Sequence, residues 1–376
     1  MEAILRSDDG PFADVLKIAV LRGGGLGDLL FALPAIDALS WAYPEAEIVL
    51  LGTPLAAALL DGRPGPVARV ETLPPARGVH GPDEADDAPA VGRFLQRMSS
   101  ERFDLACQMH GGGRYSNPFL LGVQARHTVG ARMPDAAPLE RNLPYVYYQH
   151  EMVRWREIAA LAGAIAGPEE PHVTVSPRER LAGLEVIGDC RDGLAVLHPG
   201  ATDPRRRWPA ERFVELAVRL AADGMRVIVV GDGADAAIAN GVAAEAGRRA
   251  GGAVASVAGR LTLPELAGVL SVAEVFVGND SGPRHLAQAV GAPTVAVYWV
   301  GNLINGGPLT RALHRVHLSW TTRCPVCGRD VTQVGWTAER CAHDDSFVTD
   351  VEVDAVYEDA AALASLMATT ARLRGK

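Results

Sequence analysis

The stretch from Phe276 to Tyr298 constrains the fold more than any other part of the chain. Residues 274–278 read as the end of an apolar strand, and Asn279-Asp-Ser-Gly-Pro-Arg284 as a polar turn. Residues 285–290 read as a helix stopped by Gly291-Ala-Pro293, and 294–298 as a second strand. A strand, tight turn, helix and strand in that order belong to a parallel sheet, with the turn at the sheet's carboxyl end. Ser281 and Gly282 fall where a helix presents free N–H groups and the positive end of its dipole, a ready anion site. The plainer alternative is an ordinary cap, with Asp280 or Ser281 as N-cap and Pro283 in the first turn.

The same alternation recurs on both sides. Residues 15–21 form a first apolar run, followed by Arg22-Gly-Gly-Gly-Leu-Gly27-Asp28 and a helical stripe at Leu29, Leu30, Leu33, Ile36 and Leu39. Pro34 is expected to kink that helix or to start its longer part. A glycine-rich loop after the first strand invites a dinucleotide reading, but Asp28 stands where a third Gly or Ala is expected. A carboxylate there would face a pyrophosphate. The loop therefore suits close approach of Gly25, Gly27 and Asp28 to a neutral substrate, with a helix-dipole charge as the alternative for Asp28. Strands are expected at 46–51, 68–73, 103–109 and 128–130, helices at 54–60, 91–99 and 150–166, and loops at 74–90 and 142–148. The turn after residue 109 brings His110 and Arg114 into consideration as substrate contacts, a solvated loop being the equal alternative.

Pro and Gly at 167–177 mark a joint. Beyond it, a strand at 193–198 runs into Pro199-Gly-Ala-Thr-Asp-Pro-Arg-Arg-Arg-Trp208. Three arginines in a row suit a phosphate clamp, because guanidinium groups pair bidentately with phosphate oxygens. Gly200 allows close backbone approach and Thr202 adds a hydroxyl. A solvated loop is again the alternative. Gly231-Asp-Gly233-Ala-Asp-Ala236 matches a dinucleotide fingerprint, but no acidic residue ends the next strand at 253–257 to hold a ribose. Asp232 or Asp235 could meet one from the turn itself.

Composition narrows the function. With 376 residues, 48% apolar and 22% charged, the chain has ample core for about two domains. A net charge of −9 argues against a nucleic-acid surface and gives the arginine run a local purpose. Residues 1–10 lack the apolar core of a signal peptide, and no run approaches the roughly 18 apolar residues of a membrane span. Five cysteines, odd and sparse, suit a reducing compartment. The expected location is cytoplasmic, with a peripheral place at the inner membrane face left open. Cys107 and Cys190 read as lone buried residues.

Four stretches together resemble glycosyltransferase family 9, the ADP-heptose:lipopolysaccharide heptosyltransferases. They are Gly27-Asp-Leu-Leu-Phe-Ala-Leu-Pro-Ala-Ile36; His198-Pro-Gly200 with Arg206-Arg-Trp-Pro209; Val257-Ala-Gly-Arg-Leu-Thr-Leu-Pro-Glu-Leu266; and Asn279-Asp-Ser-Gly-Pro-Arg-His-Leu-Ala287. Order and spacing match over about residues 15 to 350. The resemblance implies an α/β chain of the GT-B class, two Rossmann-like doubly wound parallel-sheet domains facing a central cleft. The expected domains are 1–170 for the acceptor, 171–350 for the nucleotide-sugar, and a helix at 351–376 crossing back to the first. It implies an inverting transfer of a sugar, heptose from ADP-heptose, with Asp28 as general base and no cofactor or catalytic metal. Thr202, Asp280, Ser281, Gly282 and His285 map onto positions that hold the diphosphate and sugar, and Leu261 onto a residue beside the adenine. Arg206 stands where the family often has Lys, and Ser281 where many members have Thr.

The acceptor is open: lipopolysaccharide core by resemblance, or a small metabolite or protein, since the 74–90 loop lacks the basic, apolar make-up for docking on anionic lipid. A non-catalytic sugar-nucleotide binding protein and a GT-B epimerase are the rival readings. Finally, Cys324-Pro-Val-Cys327 and Cys341-Ala-His343 offer four ligands of the kind that hold zinc. Reduced thiols on a loop are the plainer alternative, and the expectation is no metal.

Overall fold

The computed structural model describes residues 10–81, 87–188, 193–332 and 339–374; Cys190 and part of the 74–90 loop lie outside them. The chain divides between Thr174 and Val175 into two compact units.

The first unit runs β1 (Lys17–Arg22), α1 (Leu26–Ala42), β2 (Glu47–Gly52), α2 (Pro54–Leu60), β3 (Val67–Thr72), α3 (Ala88–Ser100), β4 (Leu105–Gln108), α4 (Ser116–Leu121), β5 (His127–Arg132), β6 (Arg141–Pro144) and α5 (Glu151–Leu161). Its sheet has the order β3-β2-β1-β4-β5-β6, and every neighbouring pair is parallel. The central strands are apolar on both faces, as a sheet covered by helices on both sides requires. Ala19, Leu21, Val49 and Leu51 pack with Phe94 and Met98 of α3 and Phe119 of α4. Helix α1 continues through Pro34, which lies buried inside it. The missing N–H there removes one backbone hydrogen bond from the helix ladder.

The second unit holds α6 (Pro177–Ile187), β7 (Leu194–His198), a 3-10 turn (Pro204–Arg206), α7 (Ala210–Ala222), β8 (Arg226–Val229), α8 (Ala236–Ala250), β9 (Val254–Ser256) and α9 (Leu263–Leu270). It continues with β10 (Val275–Asn279), α10 (Gly282–Ala289), β11 (Thr294–Trp299), α11 (Val300–Gly306), β12 (His314–Ser319) and α12 (Val353–Arg374). Its all-parallel sheet has the order β12-β11-β10-β7-β8-β9. Read from β9, that is the winding of the first unit repeated. The terminal helix α12, expected to cross to the first domain, packs along α7 and strands β10 to β12 of the second unit. The reason is apolar burial: Val356, Ala360 and Leu363 complete the core around Trp208, Phe213, Val277 and Val295.

In a doubly wound sheet the strand order reverses at one point, and the crevice outside the strand carboxyl ends there is the ligand position. The reversal falls between β1 and β4 in the first unit, and between β7 and β10 in the second. The loops leaving those four strands carry the Gly23–Asp28 turn, the His110–Arg114 turn, the His198–Trp208 turn and the Asn279–Gly282 turn.

Candidate functional site

The half-site of the first unit is built around Asp28, in the first turn of α1. Its Oδ2 accepts from the Gly25 N–H at 2.8 Å, so the carboxylate folds back over the glycine loop. Gly24 lies at φ +91°, and a Cβ there would meet the Asp28 carboxylate at 2.5 Å. Only glycine permits that closure. Arg22, at the end of β1 and 3% exposed, donates from Nη2 to Asp28 Oδ1 at 2.9 Å and from Nε to the Asp28 carbonyl at 2.7 Å. Its Nη1 reaches the Met109 carbonyl at the end of β4, and Glu151 lies 3.5 Å from Nη2. The ring of Trp155 lies 4.7 Å from the guanidinium. Asp28 itself is half exposed, so both of its oxygens keep lone pairs toward solvent.

His110 packs beside the same loop, its Cε1 within 3.1 Å of where a Gly23 Cβ would stand. Burial, then the Arg22 charge, lowers its pKa to about 4, with Asp28 partly opposing. Its ring is therefore neutral at pH 7. Gly27 lies within the first turn of α1. Arg114 is different: it is largely exposed and pairs with Asp135 at 3.4 Å, outside the group around Asp28.

The half-site of the second unit centres on Asp280, 6% exposed, in the turn between β10 and α10. Its Oδ1 accepts from His285 Nε2 at 3.1 Å, and its Oδ2 from Arg206 Nη1 at 3.1 Å and Asn302 Nδ2 at 2.8 Å. Burial alone would raise this carboxyl. The His285 hydrogen bond, with the charges of Arg206 and Arg284, outweighs burial and brings it down to about 2. Arg284 Nη1 lies 3.0 Å from His285 Nδ1. A guanidinium can only donate, so Nδ1 accepts and the imidazole proton sits on Nε2, facing Asp280. Two guanidinium groups against one carboxylate give the cluster of Asp280, Arg206 and Arg284 a net positive charge.

Ser281 is the N-cap of α10 but makes no capping bond. Its hydroxyl lies 2.9 Å from His198 Nδ1, whose Nε2 is 3.0 Å from Asp235 Oδ2. That bond to His198 is the main cause of the lowered Asp235 pKa. Asp235 is therefore turned onto His198, and Asp232 is spent on the N–H groups of Ala234 and Asp235. Gly200 is glycine because a Cβ would strike the Asp235 carboxylate at 2.2 Å. Buried Asn279 joins the two turns: Oδ1 accepts from the Trp208 N–H at 2.9 Å, and Nδ2 donates to the Pro199 and Gly200 carbonyls. Thr202 is exposed and Leu261 half-buried, each outside this hydrogen-bonded cluster.

Two doubly wound α/β units, one offering a carboxylate at its switch point and the other cations around a helix N-terminus, define the GT-B class of fold. The model of glycosyltransferase family 9 (heptosyltransferase) matches residues 91–330, and the chain belongs to that family. It is 28% identical over 323 residues to lipopolysaccharide heptosyltransferase 1 of Pseudomonas aeruginosa, covering 83% of this chain and 86% of that protein. The structure of E. coli ADP-heptose lps heptosyltransferase II superposes with a TM-score of 0.75 at 20% identity, over 94% of this chain and 99% of that one. The iron-containing dodecameric glycosyltransferase TibC of E. coli is similar in fold alone, with a TM-score of 0.52 at 14% identity over 94% of this chain and 80% of that one. No helix among the described residues is long and apolar enough to cross a membrane.

Arg22, Glu151, His198, Asn279, Asn302 and Arg284 were not among the residues expected from sequence to form the site. His198 and Asn279 stand inside recognisable turns, so their positions were a usable signal. Glu151 lies 129 residues from the arginine it neighbours, and no local pattern joins the two.

Proposed function

We propose that this family 9 glycosyltransferase moves heptose from ADP-heptose to an acceptor hydroxyl with inversion at the anomeric carbon. The observation that carries the reading is the net positive cluster of Arg206, Arg284 and Asp280 beside the N-terminus of α10. A departing diphosphate needs cations and N–H donors placed before it leaves. The Gly282 end of α10 supplies donors, Arg206 supplies a planar fork, and Asp280 with Asn302 fixes that fork. Likeness to lipopolysaccharide heptosyltransferase 1 and to ADP-heptose lps heptosyltransferase II supports the donor and the lipopolysaccharide core as acceptor; a small metabolite or a protein acceptor uses the same chemistry.

In the step itself, the acceptor oxygen attacks the anomeric carbon while its proton passes to Asp28. The bond from that carbon to the diphosphate oxygen breaks, and ADP leaves with the electron pair. Arg22 keeps the carboxylate aimed through one hydrogen bond to Oδ1 and a second to the Asp28 main-chain carbonyl. One positioned base contributes typically about 10²–10⁴-fold. We read the transfer as needing no metal, because the arginine cluster supplies the charge at the leaving group.

Incubation with ADP-heptose and lipopolysaccharide core acceptors is expected to release ADP. Asp28→Asn should lower turnover by about 10²–10⁴-fold and leave ADP affinity, measured by calorimetry, near the parent value. NMR of the product should give the inverted anomer. Unchanged turnover in Asp28→Asn removes the base assignment, and a retained anomer removes the direct displacement.

A further inference from the structure

Between β12 and α12 the chain covers residues 320–352 with no helix or strand among the described residues. Loops of that length inside a compact domain are uncommon and need a reason. Val348 and Val351 join the main core, but ahead of them apolar packing gives little: Cys324, Val331, Cys341 and Phe347 form a small cluster of their own, with Trp299 against it. A cluster that small needs a staple.

The loop is folded so as to gather four ligand atoms. The Cys324 N–H donates to the Arg329 carbonyl at 2.8 Å, and the Gly328 N–H to the Cys324 carbonyl at 2.9 Å. Gly328, at φ +69°, turns the chain directly after Cys327, and Arg323 pairs with Asp330 across the turn. This turn carries Cys324 and Cys327, and Cys341-Ala-His343 comes up beside it. The three Sγ atoms and one imidazole nitrogen all lie within 4.8 Å of one another.

Tetrahedral bonds of about 2.3 Å to sulfur and 2.0–2.1 Å to nitrogen set ligand separations of about 3.8 Å for S···S and about 3.6 Å for S···N. The Cys324 Sγ to His343 Nδ1 distance is 3.7 Å. A disulfide explains the grouping less well, since it would leave one thiol and the imidazole without a role. Three thiolates and an imidazole select zinc or ferrous iron over the hard cations magnesium and calcium. Four protein ligands close the coordination shell, the mark of a structural site rather than a catalytic one.

The loop also backs onto the arginine turn. The Phe347 N–H donates to the Arg205 carbonyl at 2.7 Å, and Ser346 Oγ to the Arg207 carbonyl at 2.6 Å. Ser319 Oγ ties the Phe347 carbonyl at 2.6 Å, and the Arg205 guanidinium lies 5.3 Å from the Phe347 ring. The carbonyls on either side of Arg206 are thus held by residues close after His343.

We propose that Cys324, Cys327, Cys341 and His343 form a closed Cys₃His site for one zinc or ferrous ion, which staples residues 320–332 to 339–352 and braces the turn carrying Arg206. The site stands on its own residues. Only the consequence for Arg206 rests on the transferase reading.

The test is metal content by elemental analysis of the full chain, purified under reducing conditions, with zinc and iron measured separately. The expected result is about one ion per chain, lost in Cys327→Ser and in Cys341→Ser. Cobalt(II) added to the chelated protein should give the ligand-field bands of a tetrahedral thiolate site. Chelation should lower the melting temperature of the parent, because binding energy at such a site is folding energy. Should the variants fold poorly, the chelated parent still decides the matter through cobalt binding and melting temperature. Metal content unchanged in both cysteine variants overturns the proposal, and so does a reduced chain that takes up neither zinc nor ferrous ion. ADP affinity measured with and without the ion then separates the two readings. A metal-bound chain that binds no ADP keeps the site and removes the donor assignment.

Discussion

A charged side chain away from water survives only with partners, and Arg22 and Asp280 follow that rule. Arg22 is buried because Asp28, the Met109 carbonyl and the face of Trp155 surround it. Asp280 is buried as an anion because His285, Arg206 and Asn302 bond to it. His110 takes the other route and gives up its charge, its pKa lowered to about 4 by burial first and by Arg22 second. Unfolding returns the ring to its ordinary value near 6.5, so the unfolded chain binds more protons between about pH 6.5 and 4. Stability of the first unit is therefore expected to fall as pH drops through that window. His110→Asn should flatten the fall, measured by urea unfolding at several pH values. Parallel curves for parent and variant would sink this account. The sequence placed Asp28 and Asp280 in turns of the right kind and His285 at the head of the helix that follows. It was silent on Arg22 and Glu151, because a buried ion pair between distant elements leaves no local trace.

At the scale of elements, boundaries were legible wherever turn chemistry marks them. Residues 54–60 are found as read, and α9 opens on Thr262, which forms a capping box with Glu265. Helix α6 was hidden because Ser176-Pro177 reads as a linker, yet Ser176 and Glu179 cap a helix there. Strand β6 was hidden inside an aromatic loop, being a four-residue edge strand next to β5 alone. Least legible was the bond between the turns after β7 and β10, made by the Asn279 side chain. Asn279→Ala leaves the Trp208 N–H and the carbonyl of Pro199 without their partner in a buried place. The expected cost is about 3 kcal/mol in urea unfolding of the second unit, with weaker ADP binding as the arginine turn loosens. Asn279→Asp should not rescue it, since a carboxylate can accept from Trp208 but cannot donate to the two carbonyls. A loss below about 0.5 kcal/mol in the alanine variant would show the staple to be dispensable.

The whole molecule repeats one winding twice. Sequence reveals two successions of strand and helix with a joint near residue 170, but strand order depends on the side each crossover takes, which no residue encodes locally. Each unit completes its own six-stranded sheet and its own core, one around Phe94, Phe103 and Phe119, the other around Trp208 and Phe213. Stability is thus a property of each unit, and a ligand held by one should stabilise that one. On the proposed donor site, built from β7, β10 and the turns that follow them, ADP at about 100 times its Kd is worth about 2.7 kcal/mol to the second unit. Native-state hydrogen exchange read by peptide is the measurement. Amides of β7 to β12 should gain protection of about 100-fold, while those of β1 to β6 change little. Arg206→Ala, at the same ADP concentration, should lose most of that gain, because charge-assisted bonds to phosphate are among the strongest that donor binding has. Equal protection of both sheets, or protection confined to the first, would place the nucleotide away from the Asp280 cluster and undo the division of roles.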